Sequence, residues 1–129
     1  MHLYRDLTPY LHPTPAMQIG APGKHGKLRL TFELDKQQKS ILRSGERQAP
    51  LIVQQALYFD EGMPEMPCDY ILSSGGPHVD GDRYEQIITM RKDSYAFIST
   101  GAATKIAEMV HNFSTLQQHF VLEENSYLE

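Results

Sequence analysis

Leu28, Leu30, Phe32 and Leu34 alternate with Arg29, Thr31 and Glu33, so one face of this stretch is apolar and the other polar. A period of two over these positions predicts a half-buried β-strand. Asp35 to Lys39 is polar and reads as a turn, after which Ile41 and Leu42 open a short strand interrupted by Gly45. Leu51 to Phe59 is apolar on both sides. Leu51, Val53, Leu57 and Phe59 share one face, with Gln55 the misfit, while Ile52, Ala56 and Tyr58 share the other. Such a run predicts a strand covered on both faces, and Pro50 is tolerated at a strand start. Residues 60–67, with Gly62, Pro64 and Pro67, form a loop. Strands are predicted at 70–73 and 84–91, on either side of a glycine-rich turn, and at 95–99 after a turn at Lys92-Asp93-Ser94.

Two regions read less simply. Ala103, Ile106, Ala107, Val110 and Phe113 recur at helical spacing, although Gly101 opens the segment and His111-Asn112 breaks it. Leu116, Phe120 and Leu122 then alternate as in a strand. At the other end, Pro9, Pro13, Pro15 and Pro22 exclude a long helix, so residues 1–25 read as an irregular lead-in and 26–129 as one β domain. The fold class this predicts is mainly β, with antiparallel or mixed sheets and few or no helices; the spacing of strands and turns favours antiparallel pairing.

Composition narrows the function. At 129 residues the chain has the length of one domain with its own core, and 40% hydrophobic with 22% charged residues is ordinary for a globular protein. A net charge of -4 and the lack of a basic stripe argue against nucleic acid as a partner. Cys68 is the sole cysteine, which excludes an internal disulfide and suits a reducing cytoplasm. No basic region followed by an apolar core marks a signal peptide, and no apolar run approaches the roughly 20 residues that cross a membrane.

The densest candidate chemistry lies in Ser73-Ser74-Gly75-Gly76-Pro77-His78-Val79-Asp80-Gly81-Asp82. Three glycines and a proline force a sharp turn. On an extended backbone His78, Asp80 and Asp82 would point to one side, where imidazole and carboxylates could hold a divalent ion such as nickel transiently. The structural alternative is a turn whose aspartates accept backbone N–H bonds. The acidic spacing of a calcium loop is absent. Cys68 could pair with His78 as nucleophile and base, or join Met63 and Met66 as a soft ligand, but a buried inert thiol explains it as well. Thr100, Thr104 and Lys105 follow a strand without any Walker-type glycine loop before them. A small metal-dependent hydrolase built on His78, Asp80 and Asp82 would need further ligands, a base and a water site, and no other motif supplies them; a metal-free β interaction module is the other alternative. His111 and His119 are too far apart to meet on one strand, and His2, His12 and His25 lie in the lead-in.

Taken in order, several fragments resemble the urease accessory proteins of the UreD/UreH family. They are Gly26-Lys27-Leu28-Arg29-Leu30-Thr31-Phe32; Ala49-Pro50-Leu51 with Gln54 and Ala56-Leu57-Tyr58; and Tyr70-Ile71-Leu72 leading into Gly75-Gly76 and Gly81-Asp82. Thr100 with Ala102-Ala103-Thr104-Lys105 and the final Tyr127-Leu128-Glu129 complete the set. Asp80 stands where the family commonly has a glycine. Members of the family are longer, so the chain looks like the N-terminal half of such a protein. The resemblance implies a mostly β fold that keeps 102–107 extended. It implies a non-catalytic cytoplasmic role, with no permanently bound cofactor. Its expected partners are the urease structural subunits and accessory proteins of the UreF and UreG types, with nickel as cargo and no nucleic acid or membrane involved.

Overall fold

The computed structural model describes residues 23–110 and 112–129, so residues 1–22 of the predicted lead-in, with His2 and His12, and also His111 lie outside the described residues. Eight strands follow in order: β1 (His25–Leu34), β2 (Ser40–Gln48), β3 (Leu51–Val53), β4 (Cys68–Ser73), β5 (Arg83–Met90), β6 (Tyr95–Thr100), β7 (Thr115–Leu122) and β8 (Tyr127–Leu128). No helix occurs among the described residues. The strands make two four-stranded sheets, ordered β2-β1-β5-β7 and β3-β4-β6-β8.

The core lies between the sheets. Leu28, Leu30 and Phe32 of β1, which share the predicted apolar face, are fully buried against Tyr84, Ile88 and Met90 of β5. Leu51 and Val53 of β3, Ile71 of β4 and Ala96 of β6 meet them from the other sheet. Sheets that each turn one apolar face inward form a two-layer sandwich.

The sheets are mixed. β1–β2 and β3–β4 are antiparallel, whereas β1–β5, β5–β7, β4–β6 and β6–β8 are parallel. From β4 onward the chain crosses to the opposite sheet after every strand. Each strand therefore returns to its own sheet one full circuit later, and neighbours within a sheet run the same way. The intervening strand in the other layer serves as the crossover that parallel pairing requires.

Two local readings change, and one that the spacing left open is decided. β2 runs through Gly45 instead of stopping there, because Gly45 pairs with Leu30 in the β1–β2 ladder. The predicted strand at 51–59 ends at Val53; beyond it Leu57 bridges Cys68 alone. Cover stops with the strand: Leu51 and Val53 are buried, but Leu57 and Phe59, further along the same predicted face, are exposed, as is Ile52 on the other. The helical spacing at 102–113 forms no helix. Ile106 and Val110 are each 72% exposed, so that side of the pattern has nothing to pack against. The backbone groups of this segment bond to the glycine turn instead, as described next.

Candidate functional site

The turn between β4 and β5 is the point where three separate segments are tied together. Gly76 and Gly81 adopt φ of 70° and 84°, the left-handed region that favours glycine. Asp82 N–H donates to the Val79 carbonyl at 3.1 Å, closing the turn just before β5. Gly23 crosses directly over it: a Cβ on Gly23 would lie 1.9 Å from the Gly81 carbonyl oxygen and 2.5 Å from the Asp82 nitrogen. Only a residue without a side chain allows the two backbones to approach so closely.

That approach places Lys24 on Asp82. The carboxylate is fully buried. Its Oδ1 accepts the Lys24 N–H at 2.8 Å; its Oδ2 accepts the Val79 N–H at 3.0 Å and the Tyr84 hydroxyl at 3.0 Å, and lies 3.0 Å from the Lys24 ammonium. Burial pushes the Asp82 pKa up, but the bonds from Val79, from both Lys24 groups and from Tyr84 together outweigh it and hold the carboxyl below its ordinary value. The same arrangement raises Tyr84, first by burial and then because its hydroxyl serves the carboxylate.

The third segment is held from the other side. His78 N–H donates to the Lys105 carbonyl and the His78 carbonyl accepts the Ala107 N–H, both at 2.9 Å. Asp80 Oδ2 accepts the Val110 N–H at 3.3 Å. The Phe113 carbonyl accepts the Gly81 N–H, and the Asp82 carbonyl accepts the Thr115 N–H that begins β7. The Arg83 guanidinium donates to the Asp82 and Phe113 carbonyls and lies 4.2 Å from the Phe113 ring centroid. His78 places Nδ1 2.9 Å from the Ser114 Oγ and its ring 4.5 Å from that of Tyr84.

His78, Asp80 and Asp82 therefore do not converge. The positive φ of Gly81 and the Val79–Asp82 turn break the alternation that an extended backbone would give. Asp82 points inward to Lys24 and Tyr84, His78 toward Ser114, and Asp80 toward Val110. Among the described residues no three His, Cys, Asp or Glu are grouped to hold a metal ion. Gly75 abuts Pro50 and Lys24, where an added Cβ would come within 2.8 Å and 3.0 Å respectively. Thr104 and Lys105 are exposed and line a hollow beside Pro77 and His78. Cys68 is 1% exposed. Its Sγ lies 3.7 Å from the Met66 carbonyl, and burial is the main cause that raises its pKa, so it is held as the unreactive thiol.

Sequence reasoning missed Gly23 and Lys24, which sit in what reads as lead-in, and Tyr84, which reads as an ordinary strand residue. It also missed Asp69. This carboxyl is fully buried on β4 with neither oxygen hydrogen-bonded among the described residues, and burial, partly offset by Arg47, raises its pKa to about 6.

Such a fold and site define a β scaffold in which the motif residues tie chain segments to one another. The family model described as UreD urease accessory protein matches residues 24–129. The chain is 45% identical over 125 residues to urease accessory protein UreD 2 of Brucella ovis, covering 97% of this chain and 41% of that protein. It is 42% identical to UreD 3 of Methylorubrum populi and 39% identical to UreD of Yersinia enterocolitica, covering 97% and 96% of this chain and 40% and 38% of those proteins. The chain belongs to the UreD urease accessory protein family, and it spans about two-fifths of the length of the curated relatives it matches. The resemblance noted in the sequence is confirmed, and with it the mainly β fold.

Proposed function

We propose that the chain is the N-terminal β part of a urease maturation protein, which binds the urease apoprotein and helps recruit the other accessory proteins for nickel insertion. The observation that supports this reading most directly is the family match over 24–129. Within it Gly75, Gly76, Gly81 and Asp82 form the turn, Lys24 just before β1 bonds to Asp82, and the Lys105 carbonyl bonds the turn from the third segment. A node of this kind shapes a surface for protein partners and has no need of a reacting substrate. In this role the protein is not an enzyme, holds no permanent cofactor and treats nickel as cargo. Its partners are the urease structural subunits and accessory proteins of the UreF and UreG types. The setting is the cytoplasm, with which the single reduced and buried Cys68 agrees. No helix among the described residues is long and apolar enough to cross a membrane.

The rival reading, a metal-dependent hydrolase on His78, Asp80 and Asp82, has lost its geometric basis, because each of the three is bonded to a different neighbour. One experiment separates the two. A tagged chain, extended to the full family length, is coexpressed with urease subunits and the accessory proteins, and the purified product is assayed on generic ester and phosphate substrates. Capture of the subunits without turnover is expected. Metal-dependent turnover without capture would overturn the proposal.

A further inference from the structure

The outer face of the β2-β1-β5-β7 sheet gathers cationic groups at one end. Register sets His25 of β1, Arg83 of β5 and Thr115 of β7 in one row, and Lys27, Glu85 and Gln117 of the same strands in the next. Partners in register share a face; adjacent strands lie roughly 4.8 Å apart, and same-face neighbours along a strand roughly 6.6 Å apart. Leu28, Tyr84 and Ile88, at the alternate positions, are buried in the core, so these two rows face away from it. All six residues border one hollow of about 190 Å³. That is roughly six water molecules' share of the liquid. It is below the roughly 300 Å³ at which sites for drug-sized ligands begin. A small ion with part of its hydration fits there and a nucleotide does not.

His25, Lys27 and Arg83 can each carry a positive charge, against the single carboxylate of Glu85. Lys27 Nζ lies 3.8 Å from Glu85 Oε1, with the two side chains 40% and 38% exposed. A charge-assisted hydrogen bond closes to roughly 2.7–2.9 Å, so Lys27 is only loosely held by Glu85. Arg83 is the unusual member, being 9% exposed. Its bonded acceptors are all neutral: the Asp82 and Phe113 carbonyls and, at 3.5 Å, Asn112 Oδ1. Its Nε is buried with no hydrogen-bond partner among the described residues. The Asp82 carboxylate acts on it across the backbone, but that charge is already matched by Lys24. A buried cation bonded to neutral oxygens keeps a field that an anion can complement. Burial accordingly lowers the Arg83 pKa, the direction expected of a charge short of a counter-ion.

We propose that this hollow is a binding site for a small inorganic oxyanion of the phosphate class. The anion lies over β1 and β5 between the two rows, with His25 and Lys27 to one side, Arg83 at the floor, and the Thr115 hydroxyl and Gln117 amide as neutral donors. A tetrahedral dianion suits this set better than a carboxylate does. The donors come from three strands and approach from several directions, and more than one positive charge remains after Glu85 is counted. The site rests on the geometry of this chain and not on the role in urease maturation, so either can fail without the other.

Titration of the 129-residue chain with sodium phosphate at constant ionic strength tests it, with amide chemical shifts as the readout and sodium acetate as the parallel titrant. Saturable shifts centred on residues 25–27, 83–85 and 115–117 are expected with phosphate. Glu85→Gln removes the opposing carboxylate and should tighten phosphate binding about threefold, a gain that misfolding cannot produce. Lys27→Gln should weaken binding roughly fivefold, while the dispersion of its spectrum shows that the fold is kept. Shifts that do not saturate, or affinities that both variants leave unchanged, would overturn the proposal. So would acetate bound at the same positions as tightly as phosphate, since the hollow would then be a seat for a carboxylate.

Discussion

Lys24 and Asp82, 58 residues apart, meet through two separate contacts: the Lys24 N–H donates to one carboxylate oxygen at 2.8 Å, and its ammonium lies 3.0 Å from the other. This contact fastens the entry to β1 onto the turn before β5, and those strands then run side by side with His25 opposite Arg83. Asp82→Asn keeps the shape but turns an amide N–H₂ toward donors that need an acceptor. Hydrogen bonds to a buried charged group contribute roughly 1.5–3 kcal/mol, so a loss of about 3 kcal/mol is expected. Urea unfolding of the wild type and variant checks it. An unchanged midpoint would show that the carboxylate is dispensable for the fold.

The same contact sets an acid limit. Asp82 has a folded pKa below its unfolded value, so its contribution is present above the unfolded pKa and is lost as pH falls through the folded one. Tyr84→Phe removes one donor and should raise the carboxyl pKa, moving the acid transition to higher pH. Acid titration followed by tyrosine-independent circular dichroism reads the shift.

Gly23→Ala should be more damaging than its size suggests. The added methyl meets the Gly81 carbonyl and the Asp82 nitrogen, which are backbone atoms and cannot swing aside. Overpacking of this kind costs about 1–3 kcal/mol, and it should release Lys24 from Asp82 as well. A thermal midpoint equal to that of the wild type would count against the close crossing.

Asp69 should act in the opposite sense to Asp82. Its folded pKa is raised from 3.8 to about 6, so protonation favours the fold. Its stability contribution is full below pH 3.8 and is lost as pH rises through about 6. The difference corresponds to about 3 kcal/mol at neutral pH and above. Asp69→Asn should raise the unfolding midpoint at pH 8 and flatten its pH dependence between 4 and 7. The measurement is the urea midpoint across that range, and a variant with the wild-type slope would refute it.

Cys68 should resist thiol reagents. Buried at 1% exposure with its pKa raised, it should label at pH 8 only at the rate of unfolding, and at full speed in denaturant.

Much of the fold was legible because alternation is a local signal. Leu28, Leu30 and Phe32 announce both a strand and its buried face. The parallel pairing was not legible, because the turn at Lys92-Asp93-Ser94 looks the same whether the chain folds back beside itself or crosses to the opposite sheet. The run at 51–59 misled because apolar residues on both sides do not guarantee cover on both sides; Phe59 is 56% exposed. At 102–113 the helical spacing was outweighed by long-range bonds from His78 and Asp80, which no periodicity reports. The glycine turn was visible as a turn. Its partners Gly23 and Lys24 were not, since an ion pair across 58 residues leaves no trace in local pattern.

The proposed role makes this chain the N-terminal part of a working urease maturation protein. The most direct measurement is urease activity in cells that lack their own UreD and carry the chimera of this chain with the remainder of Brucella ovis UreD 2, at fixed nickel. Urease activity clearly above the level without any UreD, together with urease subunits in a pull-down of the chimera, is the predicted result. A soluble, folded chimera that neither captures the subunits nor raises activity above the UreD-less level would contradict it.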